Sequence, residues 1–335
     1  MFASKIIWGK TTSVLKNSSS TKTQSVTEIK TNKATTKQAS APSSFKIRKL
    51  KVQITLNKGT FKNGSNSIII SDLGMSANIE KLGPPDFGKA SVEIYNLPRD
   101  VMERISTLAM MPMYHNYNYI NIYAGDDYSG FTQVFAGTIA SAVADFNSQP
   151  DIKMKIDARI GFFGSITAQG QNVVKGTQSV ASFVEKQAKI AGFTFKNEGV
   201  TASVKNAIFS GSPIEQARQA CEQVGAELVI DDDKMILISN GSSVKGTVPK
   251  LTATTGLIGY PSMSSNGISF KAVFNPQFKF AGLIELKTLV PKCTGQWRIT
   301  KLSHKLSSNL PSDGSWESTI TAYYPHMSGA CGRYV

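Results

Sequence analysis

The sequence predicts a mainly β protein with an α/β insert (α+β), in which two antiparallel β-barrel domains flank a small α/β domain. Three observations predict it. Apolar and polar residues alternate through residues 45–171 and again through 245–325, the period of half-buried strands. Turn dipeptides such as Asn63-Gly64, Asn275-Pro276 and Leu310-Pro311 break those runs at strand-like intervals. Between residues 172 and 244 the apolar spacing lengthens to that of helices.

The chain has 335 residues, a length that suggests about two domains and lets roughly three quarters of the unfolded surface be buried. It needs neither disulfide nor metal to fold. Its three cysteines, Cys221, Cys293 and Cys331, lie far apart without CxxC spacing, which fits a reducing compartment. Residues 1–44 read as a basic low-complexity N-terminal arm, dominated by Ser, Thr, Lys, Gln and Asn, with too few aliphatics to offset the entropy of ordering it. The net charge of +14 is concentrated there: residues 1–50 hold ten basic residues and one acid, Glu28. Such charge solubilises a tail or docks it on an acidic partner subunit. Phe2, Ile6, Ile7 and Trp8 are interrupted by Lys5 and Lys10, so no apolar signal-peptide core forms. The longest uncharged stretch, 105–125, contains Pro112 and three asparagines, so no stable membrane anchoring is expected.

In the first β domain, residues 45–171, Leu50, Val52, Ile54 and Leu56 alternate with polar residues, and Asn63-Gly64 ahead of Ile68, Ile69 and Ile70 signals a hairpin. Ile120, Ile122 and Ala124 continue the pattern, as do Ile152, Met154, Ile156, Ala158 and Ile160. After Pro98, Met102, Ile105 and Leu108 line one side of a short helix. The insert, residues 172–244, holds a helical stripe of Val180, Phe183, Val184, Ala188 and Ala191 that ends at Gly192. A second helix opens on Ser212, Pro213 and Glu215, a capping-box start, and closes at Gly225. Ala226 to Ile230 and Met235 to Ile238 then form a hairpin around Asp231, Asp232 and Asp233. The last domain, residues 245–335 with a C-terminal tail, repeats features of the first: Met263-Ser264 matches Met75-Ser76, and Asn275-Pro276 stands where Asn96-Leu97-Pro98 does. Each ends on an alternating strand preceded by a proline loop, at Pro150 and Pro311.

Few residues invite chemistry. The three aspartates at 231–233 suit a hard cation, but they lack the glycine and distal glutamate of an EF-hand loop and read as a solvated hairpin tip. His304, with Asp313 and Glu317 near in sequence, could serve as a general base; its strand position favours a hydrogen-bonded structural role. His115 and His326 have no spaced partners. Cys221 falls on an apolar helix face, and Trp297 and Trp316 read as packing residues rather than sugar platforms. No nucleophile elbow, Walker loop or dinucleotide fingerprint occurs, so neither catalysis nor a cofactor is expected.

The C-terminal stretch adds a resemblance. It runs TGLIGYPSMSSNGISFKAVFNPQFKFAG from Thr255 and closes with GQWRITKLSHKLSSNLPSDGSWESTITAYYP. This resembles the central baseplate hub proteins of contractile-tailed bacteriophages, over about residues 45–325. The resemblance implies two tail-tube-like barrels per chain and a homotrimeric ring that adapts a hexameric tail tube above to a trimeric spike below. It also implies a virion protein, assembled in the host cytoplasm, that lines a channel through which DNA passes as cargo. Candidate assembly contacts are Lys5, Trp8, Lys10 and Lys16 on the arm, directed at other baseplate subunits, and the loops at Asn63, Gly64, Pro84, Pro85, Asp86 and Phe87. The alternatives are the hub of a related contractile injection or secretion system, or a tail-associated glycan-binding or hydrolytic protein. An oligonucleotide-binding barrel would rest on Lys153, Lys155 and Arg159 without aligned aromatics.

Overall fold

The computed structural model describes residues 47–84, 86–107, 117–126, 128–147, 150–265, 267–311 and 314–324. The first stretch forms β1 (Arg48–Thr55), β2 (Ser67–Ser71), β3 (Met75–Lys81), β4 (Gly88–Tyr95), α1 (Arg99–Ile105), β5 (Tyr119–Asp126), β6 (Gly130–Asp145) and β7 (Lys153–Arg159). Period-two alternation decides which side chains turn inward: Leu50, Val52 and Ile54 on β1, Ile120, Ile122 and Ala124 on β5, and Met154, Ile156 and Ala158 on β7 are all buried in one core. The helix after Pro98 buries Val101, Met102 and Ile105 against that core, while Leu108 lies outside the described residues. Asn63-Gly64 belongs to the β1–β2 loop. The Gly64 N–H bonds the Phe61 carbonyl at 2.9 Å, and Gly64 takes the left-handed φ of +78° that such a turn requires. Phe61 anchors the loop by burying its ring.

The insert follows a short helix, α2 (Phe162–Ile166). It consists of β8 (Asn172–Ser179), α3 (Val180–Ala191), β9 (Thr194–Asn197), β10 (Ser203–Phe209), α4 (Pro213–Gln223), β11 (Ala226–Asp231) and β12 (Lys234–Ser239). α3 buries Val180, Phe183, Val184 and Ala188 and stops at Gly192, whose φ of +82° ends the helix. At the start of α4 the Ser212 hydroxyl accepts the Glu215 N–H at 3.3 Å, as the capping motif predicts. Strands β8 and β10 form a separate two-stranded ribbon, while β11, β12 and β9 form a three-stranded sheet.

The last stretch comprises β13 (Lys250–Leu251), β14 (Leu257–Ser264), β15 (Gly267–Val273), β16 (Leu283–Leu286), β17 (Gly295–Ser308) and β18 (Trp316–Tyr323). It shares one hydrogen-bonded sheet with the first, in the order β14-β15-β18-β17-β3-β4-β7-β6-β5-β1-β2, with β16 branching from β17 and β13 pairing β16. The same connectivity therefore occurs twice. Neighbours β3, β4, β7, β6 and β5 are matched by β14, β15, β18, β17 and β16, in both chain order and pairing order. Even the irregularity recurs. The β6–β7 ladder shifts register just after Ile139 pairs Ala158, and the β17–β18 ladder shifts just after Ile299 pairs Ala322.

The two half-sheets meet where β17 lies antiparallel to β3, from Leu302 opposite Lys81 to Ser308 opposite Met75. Leu306 crosses this seam: carried on a strand of the second half, its side chain lies in the core of the first. Leu306→Ala is expected to lower unfolding free energy by about 2–5 kcal/mol, the range for a buried leucine truncation. Urea denaturation followed by circular dichroism checks this, and a loss below about 1 kcal/mol would show that the seam packs loosely.

Candidate functional site

The polar centre of the molecule lies at the end of that seam. β3 ends on Lys81, opposite Leu302 of β17 and Gly88 of β4, and its side chain is almost wholly buried. Its ammonium donates to Asp231 Oδ1 at 2.7 Å and to Asp232 Oδ2 at 2.9 Å, both on the turn between β11 and β12. The Ala136 N–H, on β6, donates to the other oxygen of Asp232 at 3.2 Å. The aspartate run is thus not the solvated tip that the sequence suggests. Asp231 and Asp232 are drawn into the protein because Lys81 would otherwise be a buried, uncompensated charge. Only Asp233 is exposed, and its carbonyl accepts the Thr194 N–H.

A second clasp ties the insert to the other half-sheet. Arg298 of β17 donates to Glu227 of β11 at 2.5 Å. Between the two clasps the outward face of the β11–β12 hairpin, Val229, Ile236 and Ile238, packs on Phe280 and Ala281 from the link between β15 and β16. Its inward face, Leu228, Ile230, Met235 and Leu237, joins the core under α3 and α4. The insert therefore straddles the seam, bonded to both sides of it.

Burial opposes charge on Lys81, but Asp231 and Asp232 outweigh it and raise its pKa above the ordinary lysine value. Asp232 goes the unusual way. Burial, with Asp231 as a like-charged neighbour, outweighs Lys81 and raises its carboxyl to about 6. His304 is pushed down to about 3 by burial and by the charges of Lys81 and Lys279. Its Nδ1 lies 2.8 Å from Ser318 Oγ, and its ring meets Phe274 edge-on at 5.1 Å. A neutral, enclosed imidazole on a strand interior is a packing residue. Glu317 instead faces Lys271, 3.5 Å away, and Asp313 lies outside the described residues.

The other singled-out residues fall into three groups. Asn63, Gly64, Pro84 and Asp86 are exposed on loops, where a neighbouring subunit could reach them. Phe87 is not: with a left-handed φ of +47° it turns its ring into the first core, so it supports the loop instead of presenting a contact. Lys5, Trp8, Lys10, Lys16 and Pro85 lie outside the described residues. Cys221 is buried on α4, where burial lifts its thiol to about 12 and leaves it unreactive at neutral pH. Trp297 is enclosed and donates its indole N–H to the Cys293 carbonyl at 2.9 Å, and Trp316 packs edge-on against Phe274. A cleft of about 310 Å³ opens between β5, β6 and the insert, with Asp232 and Asp233 as its acids; Asp232 is already engaged by Lys81 and Ala136. Among the described residues no cluster of three or more His, Cys, Asp or Glu could hold a metal ion, and no helix is long and apolar enough to cross a membrane.

A family model described as Baseplate hub gp41 matches residues 49–311. The chain belongs to this baseplate hub family. The match runs from β1 through the insert to β17 and stops short of β18, so the family covers most of the described chain, and its role is structural, in the tail of a virion. No curated protein sequence matches the hub. Among solved structures it is similar to the 43 kDa tail protein of prophage MuSo2 from Shewanella oneidensis. That likeness has a TM-score of 0.57 at 10% identity, covering 82% of this chain and 97% of the other. A tail protein from Neisseria meningitidis MC58 gives 0.54 at 11% identity, over 82% and 96%. A Francisella PdpA-VgrG complex gives 0.54 at 10% identity, covering 86% of this chain and 60% of that one. At such identities the shared property is the fold.

Two outcomes test the clasp. Lys81→Met leaves two buried carboxylates without a counter-charge and is expected to cost about 3–5 kcal/mol in urea denaturation at neutral pH. The pH dependence follows from the sign of the Asp232 shift. Its folded pKa lies above the unfolded value of 3.8, so its contribution is fully present below that value and fades as pH rises through about 6. The stability of the native hub relative to Asp232→Asn should therefore decline between pH 4 and 6. A difference that is flat or rises over that window would contradict the assignment.

Proposed function

We propose that this hub closes a ring of three copies at the end of a contractile phage tail, matching a six-fold tube above to a three-fold spike below. The observation that carries the reading is the duplicated half-sheet. One chain presents the same strand connectivity twice, so three chains present six similar units around an axis while keeping three-fold symmetry at their other contacts. On this reading the ring transmits sheath contraction to the spike and lines the path that DNA takes. The chemistry is assembly, with no bond made or broken.

The proposed division of the chain follows: a basic arm at 1–44, a tube-like unit at 45–171, the insert at 172–244 and a second tube-like unit at 245–335. The insert acts as a brace, since its clasps at Lys81 and Arg298 fix the angle between the two units. The arm docks on neighbouring baseplate or tube subunits through its lysines, and assembly takes place in the host cytoplasm. The fold likeness to the VgrG complex supports a second reading, a hub of a contractile secretion machine. The family match over 49–311 favours the phage tail.

Native mass spectrometry of the chain co-expressed with the spike protein encoded near it tests the ring. A three-to-three complex is expected, whereas folded partners that never associate would contradict it. Deleting residues 1–44 is expected to leave the thermal unfolding transition in place while reducing incorporation into particles. Normal particle yield from the truncated gene would remove the arm from assembly.

A further inference from the structure

The cleft between β5, β6 and the insert is lined in an unusual way. Four of its residues, Gly137, Gly161, Gly164 and Gly192, carry no side chain, and three more, Tyr119, Phe163 and Phe193, are aromatic. Packing keeps two of the glycines small: a Cβ at Gly161 or at Gly164 would approach Ile214 Cδ1 to 3.0 Å. The missing side chains leave room, and the rings supply apolar surface beside it. Polar groups border the same space. Thr138 is only 3% exposed, yet its hydroxyl makes no hydrogen bond among the described residues, and neither does the Asn121 amide. The lining holds two acids and no basic residue, in a chain whose net charge is +14. Asp232 is committed to Lys81, so Asp233 is left to meet a cation. A volume of about 310 Å³ is at the small end of ligand pockets and suits one aromatic side chain with a cation beside it.

The sequence contains a segment of that chemistry which no role so far explains. Phe2 and Trp8 are the only aromatic residues of 1–44. Together with Ile6 and Ile7, and flanked by Lys5 and Lys10, they gather apolar surface at the far end of an otherwise polar arm. A tail that only solubilises has no use for a tryptophan, whereas tryptophan is among the side chains that most often anchor a contact by filling a pocket. Residues 11–46 join this tip to β1, a stretch that can span up to about 120 Å. Thr55, at the end of β1, itself lines the cleft. Such a tether makes the contact intramolecular, so that even a weak contact is occupied.

We infer that the cleft is the seat of the arm's own tip, Phe2–Lys10: Trp8 fills the glycine-lined space beside Tyr119, Phe163 and Phe193, and Lys10 meets Asp233. The tether reaches the cleft of its own copy and that of an adjacent copy alike. This inference rests on the proposed reading of the arm as a docking element and names where its tip docks; it does not depend on the ring of three.

The test uses the purified full-length protein carrying Cys331→Ser, since Cys221 and Cys293 are buried. Gly9→Cys is combined either with Lys234→Cys, exposed next to Asp233, or with Thr177→Cys, exposed on β8 away from the cleft, and each pair is treated with a short bismaleimide. Peptide mass spectrometry is expected to show position 9 linked to 234 in clear preference to 177. Trp8→Ala is expected to lower that linkage about ten-fold, and Asp233→Lys to lower it as well, neither moving the thermal unfolding of the chain. Equal linkage to 177 and 234, or linkage unchanged by Trp8→Ala, would overturn the inference and leave the ring untouched. A chain that is monomeric in native mass spectrometry yet still links 9 to 234 would remove the ring and support the seat.

Discussion

The backbone edge is the constraint on which this structure turns. A β-strand at the end of a sheet displays N–H and carbonyl groups that must be bonded by water, by its own chain or by another. Here the chain satisfies one such edge internally by laying β17 on β3, and in doing so fuses two half-sheets of the same connectivity. Once that seam forms, Leu306 and Ile79 become core and the polar end of the seam closes over Lys81. The insert then has a fixed place, because one of its turns supplies the counter-charges for that lysine and its Glu227 meets Arg298 on the far side.

Much of this was legible in the sequence, and the rest was hidden for definable reasons. Strict alternation in Leu50–Leu56 and Ile152–Ile160 reports a sheet with one dry face, and the structure has it. The Ser212 cap and the Gly192 stop mark helix ends that the backbone reproduces. By contrast, β8 and β10 carry little periodic signal. Their ladder breaks between Lys205 and Ala207, and Asn206 and Gly176 take left-handed conformations there, so alternation is lost where it would be read. The clasp was invisible because its partners are 150 positions apart, and three successive aspartates look like a turn from composition alone. Phe87 misleads for a similar reason: a GPPDFG loop reads as exposed, and only its backbone angle shows the ring turning inward.

The same physics links fold to role. A structural protein of a tail gains from a polar clasp that is costly to break and from joints made of paired strands rather than loops. The seam provides both.

The most direct test is electron cryo-microscopy of the assembled tail tip at a resolution that separates strands. The proposed ring predicts three copies of this chain around the axis, with six half-sheets of the same connectivity joined in pairs by the β17–β3 seam inside each chain. A ring of any other number, or three copies whose half-sheets do not fall into six similar positions around the axis, would contradict it.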